Sequence, residues 1–295
     1  MNLEETLLAR CRFGPPGQAA DLAVSGGPDS LGLLLLARAA GLVVHVHHVD
    51  HHARASSGED ATAVRDLCSR LEVSFTRHDV TVEPGANFEA RARAARRAAL
   101  PDGALTGHTM DDLAETVLLN MMRGAGLDGL SPMVGDATKP LIDVRRTDLH
   151  YYVAGSPFQP VYDESNDSPD FRRNRVRHEV LPVLCDVAGR DVVPLLARQA
   201  AVVHEERAWL EAISHPDLER ELDEVDCREL REWPKARLRR WLRARLSHAD
   251  ADGVHPPTSE EIERALAVVR GDVVATELAG KRRLSRSAQR LTLEE

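Results

Sequence analysis

The chain has 295 residues, of which 43% are hydrophobic and 29% charged, and its formal net charge is −9 at pH 7. These proportions describe an ordinary globular protein, long enough for one large domain with an appendage or for two domains. The acidic balance argues against wholesale coating of nucleic acid, although it leaves room for a local basic face. Aromatic residues, at 4%, are too scarce for base stacking as a distributed binding mode.

Cysteine usage and hydropathy exclude further classes of protein. The four cysteines lie far apart and form no Cys-x-x-Cys pair: Cys11, Cys68, Cys185 and Cys227. This spacing argues against a zinc ribbon, an iron–sulfur site or a disulfide framework, and it fits a reducing compartment. The first residues lack the apolar core of a signal peptide, and the longest apolar run is too short to span a bilayer. We therefore expect a soluble, cytoplasmic protein.

Strands and helices alternate along the first part of the chain. Apolar periodicity predicts helices over residues 3–12, 28–40, 58–71, 88–100 and 112–122. Runs of apolar and β-branched residues predict strands that end at Val24 and that cover 42–49, 73–82 and 104–106. This alternation predicts an α/β fold with a parallel, doubly wound sheet, in which ligands bind at the carboxyl ends of the strands.

A six-residue loop between the first strand and its helix is the strongest local signal. Its sequence is Ser25-Gly26-Gly27-Pro28-Asp29-Ser30. Backbone N–H groups converge at such a turn, the helix dipole adds positive charge, and two glycines let a phosphate approach closely. The alternative is an ordinary strand-to-helix turn capped by Ser and Asp. The loop differs from a Walker A loop because no lysine lies near it.

Acidic residues follow the last predicted strand of the sheet. His108, Asp111 and Asp112 come directly after residues 104–106, and Glu115 lies one helical turn further on. Carboxylates at this edge are natural Mg²⁺ ligands when a triphosphate supplies the remaining oxygens. The alternative is helix capping by Asp111 or Asp112, with Glu115 either closing a capping box or adding a further carboxylate.

Two other patterns carry less weight. Histidines at positions 45, 47, 48, 51 and 52 suggest a metal site, but no thiolate or second carboxylate cluster accompanies them, so solvated or nucleotide-edge histidines are favoured. Residues 124–129 match the dinucleotide pattern G-x-G-x-x-G. That match is rejected because it follows a predicted helix rather than a strand, and Pro132 stops any helix behind it.

From residue 139 onward the regular alternation of strands and helices ends. We predict a short strand over 139–142, helices over 147–153, 192–213 and 230–246, and a third long helix after Pro257, capped by Thr258 with Glu261 completing the box. Short antiparallel strands are predicted over 273–278, 283–286 and 291–293. We expect a catalytic domain over 1–186 and a smaller, mostly helical domain over 187–295 that ends in short strands.

Two arginine clusters stand out against the acidic composition. The first is Arg172-Arg173-Asn174-Arg175-Val176-Arg177-His178, and the second comprises Arg237, Arg239, Arg240, Arg243 and Arg245. Each could neutralise phosphate groups, and for the second cluster a solvated arginine face is the alternative.

The loop Ser25–Ser30 resembles the pyrophosphate loop of the PP-loop ATP pyrophosphatase superfamily, Ser-Gly-Gly-x-Asp-Ser. Further blocks in the same order resemble one family within it, the tRNA(Ile)-lysidine synthetases. They are His48-Val49-Asp50-His51 with Arg54, Glu89 with Ala92-Arg93 and Arg96, Gly107-His108 with Asp111-Asp112 and Glu115-Thr116, Arg123-Gly124 with Gly129-Leu130, Pro140-Leu141, Asp163 with Ser165-Asn166, and Arg173 to Arg177. The resemblance covers roughly residues 20–185, and the last block is the most specific.

The resemblance implies that ATP and free lysine convert cytidine 34 of a tRNA(Ile) with a CAU anticodon to lysidine. It also implies a fold of the adenine nucleotide α-hydrolase type. The pyrophosphate half of ATP would lie on Ser25 to Ser30, with Asp50, His51 and His108 at the same edge and Mg²⁺ on Asp29 and Asp112. Asp29, Asp112 or Glu115 would orient the lysine amine or accept its proton.

The resemblance also assigns roles to the arginines. Arg175 counts among the catalytic candidates, and Arg173 and Arg177, with Arg240 and Arg243, among those for tRNA. No membrane contact is expected, and a homodimer is allowed. Two other functions are kept as alternatives: another PP-loop tRNA-modifying enzyme such as a thiolase, which the lack of paired cysteines disfavours, and a non-catalytic tRNA-binding protein.

Overall fold

The computed structural model describes residues 2–50, 57–81, 88–161, 171–250 and 253–294. The chain forms two compact units, Met1–Glu205 and Glu206–Glu295. No helix in the described part of the chain is long and apolar enough to cross a membrane.

The first unit is built on a four-stranded sheet in the order β3-β2-β1-β4. The strands are β1 (Ala19–Ala23), β2 (Val43–Asp50), β3 (Ser74–Asp79) and β4 (Leu105–Thr106). Each neighbouring pair is parallel, with Leu22 of β1 opposite Val46 on one side and Leu105 on the other. The predicted parallel α/β sheet is therefore confirmed.

Helices connect and cover these strands. Their bounds are α1 (Leu3–Leu8), α2 (Pro28–Ala39), α3 (Ser57–Arg70), α4 (Phe88–Ala99), α5 (Met110–Met122), α6 (Leu127–Leu130), α7 (Arg146–Ala154), α8 (Arg172–Arg175), α9 (Leu181–Ala188) and α10 (Val193–Leu218). One π-helical turn, Val176–Val180, joins α8 to α9.

The two faces of the sheet differ in chemistry. Leu22, Val44 and Val46 belong to one apolar core with Leu33 and Leu36 of α2. Successive strand residues point to opposite faces, and several of the alternate residues of these strands are polar. Asp21, His45, His47, Thr76 and His78 occupy this second face and hydrogen-bond to one another.

The strand predicted over 139–142 is wrong. The segment is a series of tight turns, in which Ile142 N donates to Lys139 O and Val144 N donates to Leu141 O. Leu141 and Ile142 are adjacent, yet both are buried. The apolar run therefore reflects a buried turn, and Pro140 has no N–H for a strand ladder.

The second unit combines short helices with two antiparallel sheets. The helices are α11 (Cys227–Glu232), α12 (Lys235–Leu246) and α13 (Ser259–Arg270). The strands are β5 (His248–Asp250), β6 (Gly253–His255), β7 (Ala275–Glu277), β8 (Arg283–Ser287) and β9 (Arg290–Glu294). The predicted final strands are confirmed, and so is the capping box of Thr258 with Glu261. The antiparallel pair of β5 and β6 was not predicted from the sequence.

The single helix predicted over 230–246 is wrong, because α11 ends at Glu232 and α12 begins at Lys235. Trp233 has extended backbone angles, with φ −71° and ψ 143°. The ring of Pro234 disfavours a helical conformation at the residue before it, which accounts for the break.

Trp241 provides a test of this second core. Its side chain is fully buried, its ring meets Trp233 edge to face at 6.0 Å, and its Nε1 donates to Arg220 O at 3.1 Å. We expect Trp241→Ala to lower the free energy of unfolding by about 3–5 kcal/mol in urea titrations, because the cavity cannot close. Trp209, 64% exposed, is the matched control. Trp209→Ala should change the free energy of unfolding by less than about 0.5 kcal/mol. Equal losses in the two variants would contradict the assigned core.

Candidate active site

The phosphate loop joins β1 to α2. Gly27 is the N-cap of α2 and Pro28 is its first residue. Ser30 Oγ donates to Gly27 O at 2.9 Å and accepts from Gly26 N at 3.2 Å, so the serine holds the loop against the start of the helix. The turn therefore has the strand–glycine–helix geometry that binds anions at a helix N-terminus.

Glycines allow two close approaches around this loop. Gly26 has a φ of +97°, and a Cβ there would lie 3.0 Å from Val161 Cγ2. A Cβ on Gly107, in the segment after β4, would lie 2.6 Å from Asp29 O. Gly107 thus lets the β4–α5 segment pass directly against the start of α2, which brings the acidic residues of α5 towards the phosphate loop.

The start of α5 resolves the alternatives for Asp112. Thr109 is the N-cap, and Asp112 completes its capping box. Asp112 Oδ2 accepts from Thr109 N at 2.7 Å, while Oδ1 accepts from Arg146 Nη2 at 2.7 Å and from Arg173 Nη2 at 2.9 Å. One carboxylate oxygen therefore caps the helix and the other faces cations. Glu115 does not close a capping box.

Glu115 is instead the centre of a buried ion cluster, and its side chain is fully buried. Arg146 Nη1 and Arg177 Nε each donate to Oε1 at 2.7 Å, and Arg173 Nε donates to Oε2 at 2.8 Å. We call Asp29, Asp112, Glu115, Arg146, Arg173 and Arg177 the carboxylate–arginine cluster. Its three carboxylates and three guanidinium groups balance in charge.

The cluster keeps Asp112 and Glu115 ionised. Burial alone would raise the pKa of Asp112, but Arg146, Arg173 and the Thr109 N–H outweigh it and lower that pKa to about 2. Burial opposes ionisation of Glu115 too, yet the hydrogen bond from Arg177 and the charge of Arg146 lower its pKa. In this arrangement Asp112 binds cations well and is a weak base at neutral pH.

Arg146 also reaches the phosphate loop. Its Nε lies 3.4 Å from Asp29 Oδ2, and His150 Nε2 lies 2.7 Å from Asp29 Oδ1. Burial disfavours the Arg146 cation, but Asp112, Glu115 and Asp29 together raise its pKa. One guanidinium therefore bridges the loop of α2 and the acidic face of α5.

A neighbouring carboxylate, Asp111, holds the segment that carries Arg146. Arg145 donates to both oxygens of Asp111 at 3.2 Å, and Arg146 N donates to Asp111 Oδ2 at 2.8 Å. Asp111 therefore positions the start of α7, whereas Asp112 belongs to the carboxylate–arginine cluster.

An open cavity of about 720 Å³ adjoins these groups. Ser25, Asp29, Ser30, His108 and Asp112 line it. This volume is within the range of roughly 300–1,000 Å³ that is usual for small-molecule sites.

The other residues predicted at the nucleotide edge have mixed outcomes. His108 lines the cavity, and its Nδ1 lies 2.8 Å from Thr106 Oγ1. Asp50 is buried at the end of β2, where its Oδ2 lies 3.0 Å from Arg77 Nη2. His51 lies outside the described residues, as do Arg54, Asp163, Ser165 and Asn166.

The arginines predicted to act together are separated by helix geometry. Arg173 and Arg177, four residues apart, face the cluster, whereas the Arg175 side chain is 60% exposed and pairs with Glu179 at 2.9 Å. In the second unit, Arg240 Nη2 lies 3.4 Å from Glu211 Oε1, and Arg243 is in the last turn of α12.

Arg146 and His150 are at the site but were not predicted from the sequence. Arg146 follows Glu115 by 31 positions and Asp29 by 117, and no periodic pattern links them. A weak signal was present in the adjacent Arg145-Arg146 just ahead of a predicted helix, since a guanidinium there can reach an acidic helix that packs nearby.

The lowered pKa of Asp112 makes stability depend on pH in a defined direction. Because its folded-state pKa of about 2 lies below the ordinary value of 3.8, the carboxylate stabilises the folded state above pH 4, and this contribution disappears as the pH falls towards 2. We expect about 2 kcal/mol from this source at neutral pH.

Urea titrations of the wild type and of Asp112→Asn at pH 3 to 6 measure the contribution of this carboxylate to the free energy of unfolding. The wild type should lose more unfolding free energy on acidification than the variant does. Parallel pH profiles would contradict the assigned ion pairs.

Known proteins resemble this chain in sequence. Residues 6–184 match the PP-loop domain. The tRNA(Ile)-lysidine synthase of Gloeobacter violaceus is 38% identical over 218 residues, which cover 68% of this chain and 67% of that protein. The same enzyme of Cutibacterium acnes is 38% identical over 224 residues, covering 66% of this chain and 72% of its own.

Among solved structures, the U34-tRNA thiolase NcsA from Methanococcus maripaludis with its [4Fe-4S] cluster has a TM-score of 0.49 and 14% identity, covering 69% of this chain and 76% of that chain. The family match spans more than half of the sequence, and the lysidine synthase of Gloeobacter violaceus is 38% identical and covered over 67% of its length. The chain therefore belongs to the PP-loop domain family and, within it, to the tRNA(Ile)-lysidine synthases.

Proposed function

We propose that this chain ligates free lysine to C2 of cytidine 34 in the CAU anticodon of tRNA(Ile), giving lysidine at the expense of ATP. The carboxylate–arginine cluster beside the phosphate loop is the observation that carries the proposal. It provides anionic groups for a cationic substrate next to an anion site for a nucleotide, in a chain of this family.

The chemistry proceeds in two steps. The O2 atom of cytosine attacks the α-phosphorus of ATP, so an O–P bond forms and pyrophosphate leaves. The lysine ammonium first gives a proton to solvent; the neutral ε-amine then attacks C2, AMP leaves with the O2 atom, and the nitrogen releases a second proton to solvent as the C–N bond is completed. Adenylylation is needed because the carbonyl oxygen is otherwise a poor leaving group.

The phosphate loop would hold the pyrophosphate half of ATP. Gly26 and Gly27 leave the backbone unobstructed, and Ser30 fixes the loop at the N-terminus of α2. A helix of 12 residues supplies a dipole pointing at this position. These residues bind and orient the nucleotide so that its α-phosphorus faces the RNA base.

The oxygen donors present also fit Mg²⁺. Asp29 and Asp112 both contact the Arg146 guanidinium, so a single cation can lie between the two carboxylates. Carboxylates with phosphate oxygens are the usual Mg²⁺ ligands, and the bound ion would offset negative charge on the triphosphate. Arg146 occupies this position in the structure, so it must move or share the carboxylates when the ion binds.

Asp112 would recognise the lysine amine as a cation. A group with a pKa of about 2 remains ionised beside an ammonium and accepts its hydrogen bonds. Asp112 is a weak base for the same reason, so we assign it to orientation of the amine. Glu115 is fully buried and bonded to three guanidinium groups, and we assign it to holding that arrangement in place.

The arginine roles follow from their surroundings. Arg173 and Arg177 position the buried carboxylates, because their guanidinium groups are engaged with Glu115. Arg175, on the exposed side of the same helical stretch, is better suited to the tRNA backbone than to catalysis. Arg240 and Arg243 stay proposed tRNA contacts in residues 187–295, with residues 1–186 carrying the chemistry. A cytoplasmic location and a homodimer stay predictions.

The cysteines disfavour a thiolase, the nearest alternative. Burial raises the pKa of the Cys11 thiol to about 12 and that of Cys68 to about 11, and it also raises the pKa of Cys227. Sulfur transfer needs an accessible, low-pKa thiolate, and these three thiols have the opposite character.

Incubation with ATP, radiolabelled lysine and a tRNA(Ile) carrying a CAU anticodon tests the proposal. We expect label in the tRNA, release of pyrophosphate, and no labelling of tRNA(Met). Asp29→Asn should lower the rate by about 10²–10³-fold, since it removes a carboxylate proposed to hold the Mg²⁺ that offsets negative charge on the reacting phosphates.

Asp148→Asn is the matched control, because Asp148 is a half-exposed acid paired only loosely with Arg10, at 3.5 Å. It should retain the wild-type rate. Full lysidine formation by Asp29→Asn would contradict the site, and incorporation of sulfide in place of lysine would favour the thiolase.

A further inference from the structure

A second cluster of titratable groups lies on the polar face of the sheet. It consists of Asp21 from β1, His45 and His47 from β2, and His78 from β3, and we call it the histidine cluster. Asp21 is directly opposite His45 in the β1–β2 register. The proposed lysidine chemistry makes no use of these four residues.

The cluster brings three potential metal ligands together. One ligand atom from each of Asp21, His45 and His47 lies within 4.8 Å of the other two. His47 Nε2 is 2.9 Å from Asp21 Oδ1, and the rings of His45 and His47 stack with their centroids 4.5 Å apart. Two histidines separated by one residue on a strand project from the same face, so both can bind one ion.

The surrounding hydrogen bonds suit metal binding as well. His47 Nδ1 lies 2.9 Å from His78 Nε2, while its Nε2 faces Asp21. A metal-ligating histidine generally donates its other ring N–H to a neighbouring acceptor, which fixes its tautomer and orientation. His78 is placed to be that acceptor for His47. Thr76 Oγ1, 2.8 Å from His45 Nε2, orients the second ring.

Access and spacing are compatible with an ion. The His47 side chain is 8% exposed and that of Asp21 is 44% exposed, so the buried ring has an exposed carboxylate beside it. A tetrahedral ion with metal–nitrogen bonds of about 2.0 Å holds its ligands about 3.3 Å apart. The His47–Asp21 pair is already near this spacing, and a ligand atom of His45 lies within 4.8 Å of both.

The donor chemistry selects the class of ion. Imidazole nitrogens bind zinc, cobalt, nickel and iron(II), whereas Mg²⁺ and Ca²⁺ prefer all-oxygen sites. Two histidines with one carboxylate also leave a coordination position open for water. We propose that Asp21, His45 and His47 form a binding site for a divalent transition-metal ion such as Zn²⁺, with His78 orienting His47.

The proposed transition-metal ligands differ from the residues proposed to hold Mg²⁺. Mg²⁺ is proposed to bind carboxylates of α2 and α5. The histidine cluster instead consists of side chains on the polar face of β1, β2 and β3. His47 also lines the cavity that adjoins the phosphate loop. A bound ion would therefore clamp β1 to β2 beneath the nucleotide site without taking part in its chemistry.

Metal titration of the full chain tests the site without ATP or tRNA. Protein stripped with a chelator is titrated with Co²⁺, whose visible absorption reports tetrahedral or five-fold coordination, and Zn²⁺ is then added as competitor. We expect one equivalent of Co²⁺ to give an intense visible band, and one equivalent of Zn²⁺ to abolish it and to raise the Tm.

Variants separate direct ligands from orienting groups. His45→Ala and Asp21→Asn should weaken Zn²⁺ binding at least about 100-fold, and His78→Ala about 10–100-fold as an orienting partner. Asp21→Asn keeps the shape of a half-exposed side chain, so it tests the site even if removal of a histidine disturbs the sheet. Circular dichroism checks the fold of each variant.

His215→Ala is the matched control, since His215 is 71% exposed on α10 and contacts Glu219. It should bind Zn²⁺ as the wild type does. The proposal is overturned if the wild type gives only the weak spectrum of hydrated Co²⁺, or if the correctly folded Asp21→Asn and His45→Ala proteins retain wild-type Zn²⁺ affinity.

Discussion

Burial of Glu115 among three guanidinium groups is the constraint on which the site depends. A fully buried carboxylate would be strongly destabilising alone, and removing one partner of a buried ion pair usually costs about 3–5 kcal/mol. The partners come from α7, α8 and the π-helical turn, which lie 31, 58 and 62 positions along the chain. One side chain of α5 therefore determines where three later segments must pack.

This arrangement also explains how the site can take up cations. Asp29 and Asp112 are held by Arg146, and so are already paired with positive charge in the structure. A magnesium ion or an ammonium group can take over that charge without leaving a buried carboxylate unpaired. Under the proposed function, binding of the substrates would be an exchange of cations, in which Arg146 would be the group that gives way.

Local patterns were sufficient to predict the frame of the site. The parallel sheet and the phosphate loop follow from apolar runs and from six contiguous residues, so no distant contact was needed to find them. The capping position of Asp112 was left open because two adjacent aspartates fit the same helix start. The structure assigns one oxygen of Asp112 to the cap and the other to Arg146.

Some features could be predicted only from tertiary contacts, and others had a local signal in the sequence that the predictions did not use. Arg146 could not be found, because its partners are far along the chain. In contrast, residues four apart share one face of a helix, so the separation of Arg173 and Arg177 from Arg175 was predictable. The break at Trp233 also had a local signal in Pro234, which the predicted helix ignored.

A double-mutant cycle on Arg146 and Glu115 tests the central claim most directly. The free energy of unfolding is measured by urea titration for the wild type, Arg146→Met, Glu115→Gln and the double variant. If the cluster is held by mutual charge compensation, the double variant will be more stable than the sum of the single losses predicts, by at least about 1 kcal/mol. Additive losses, within about 0.5 kcal/mol, would show that the two side chains act independently and would contradict the account.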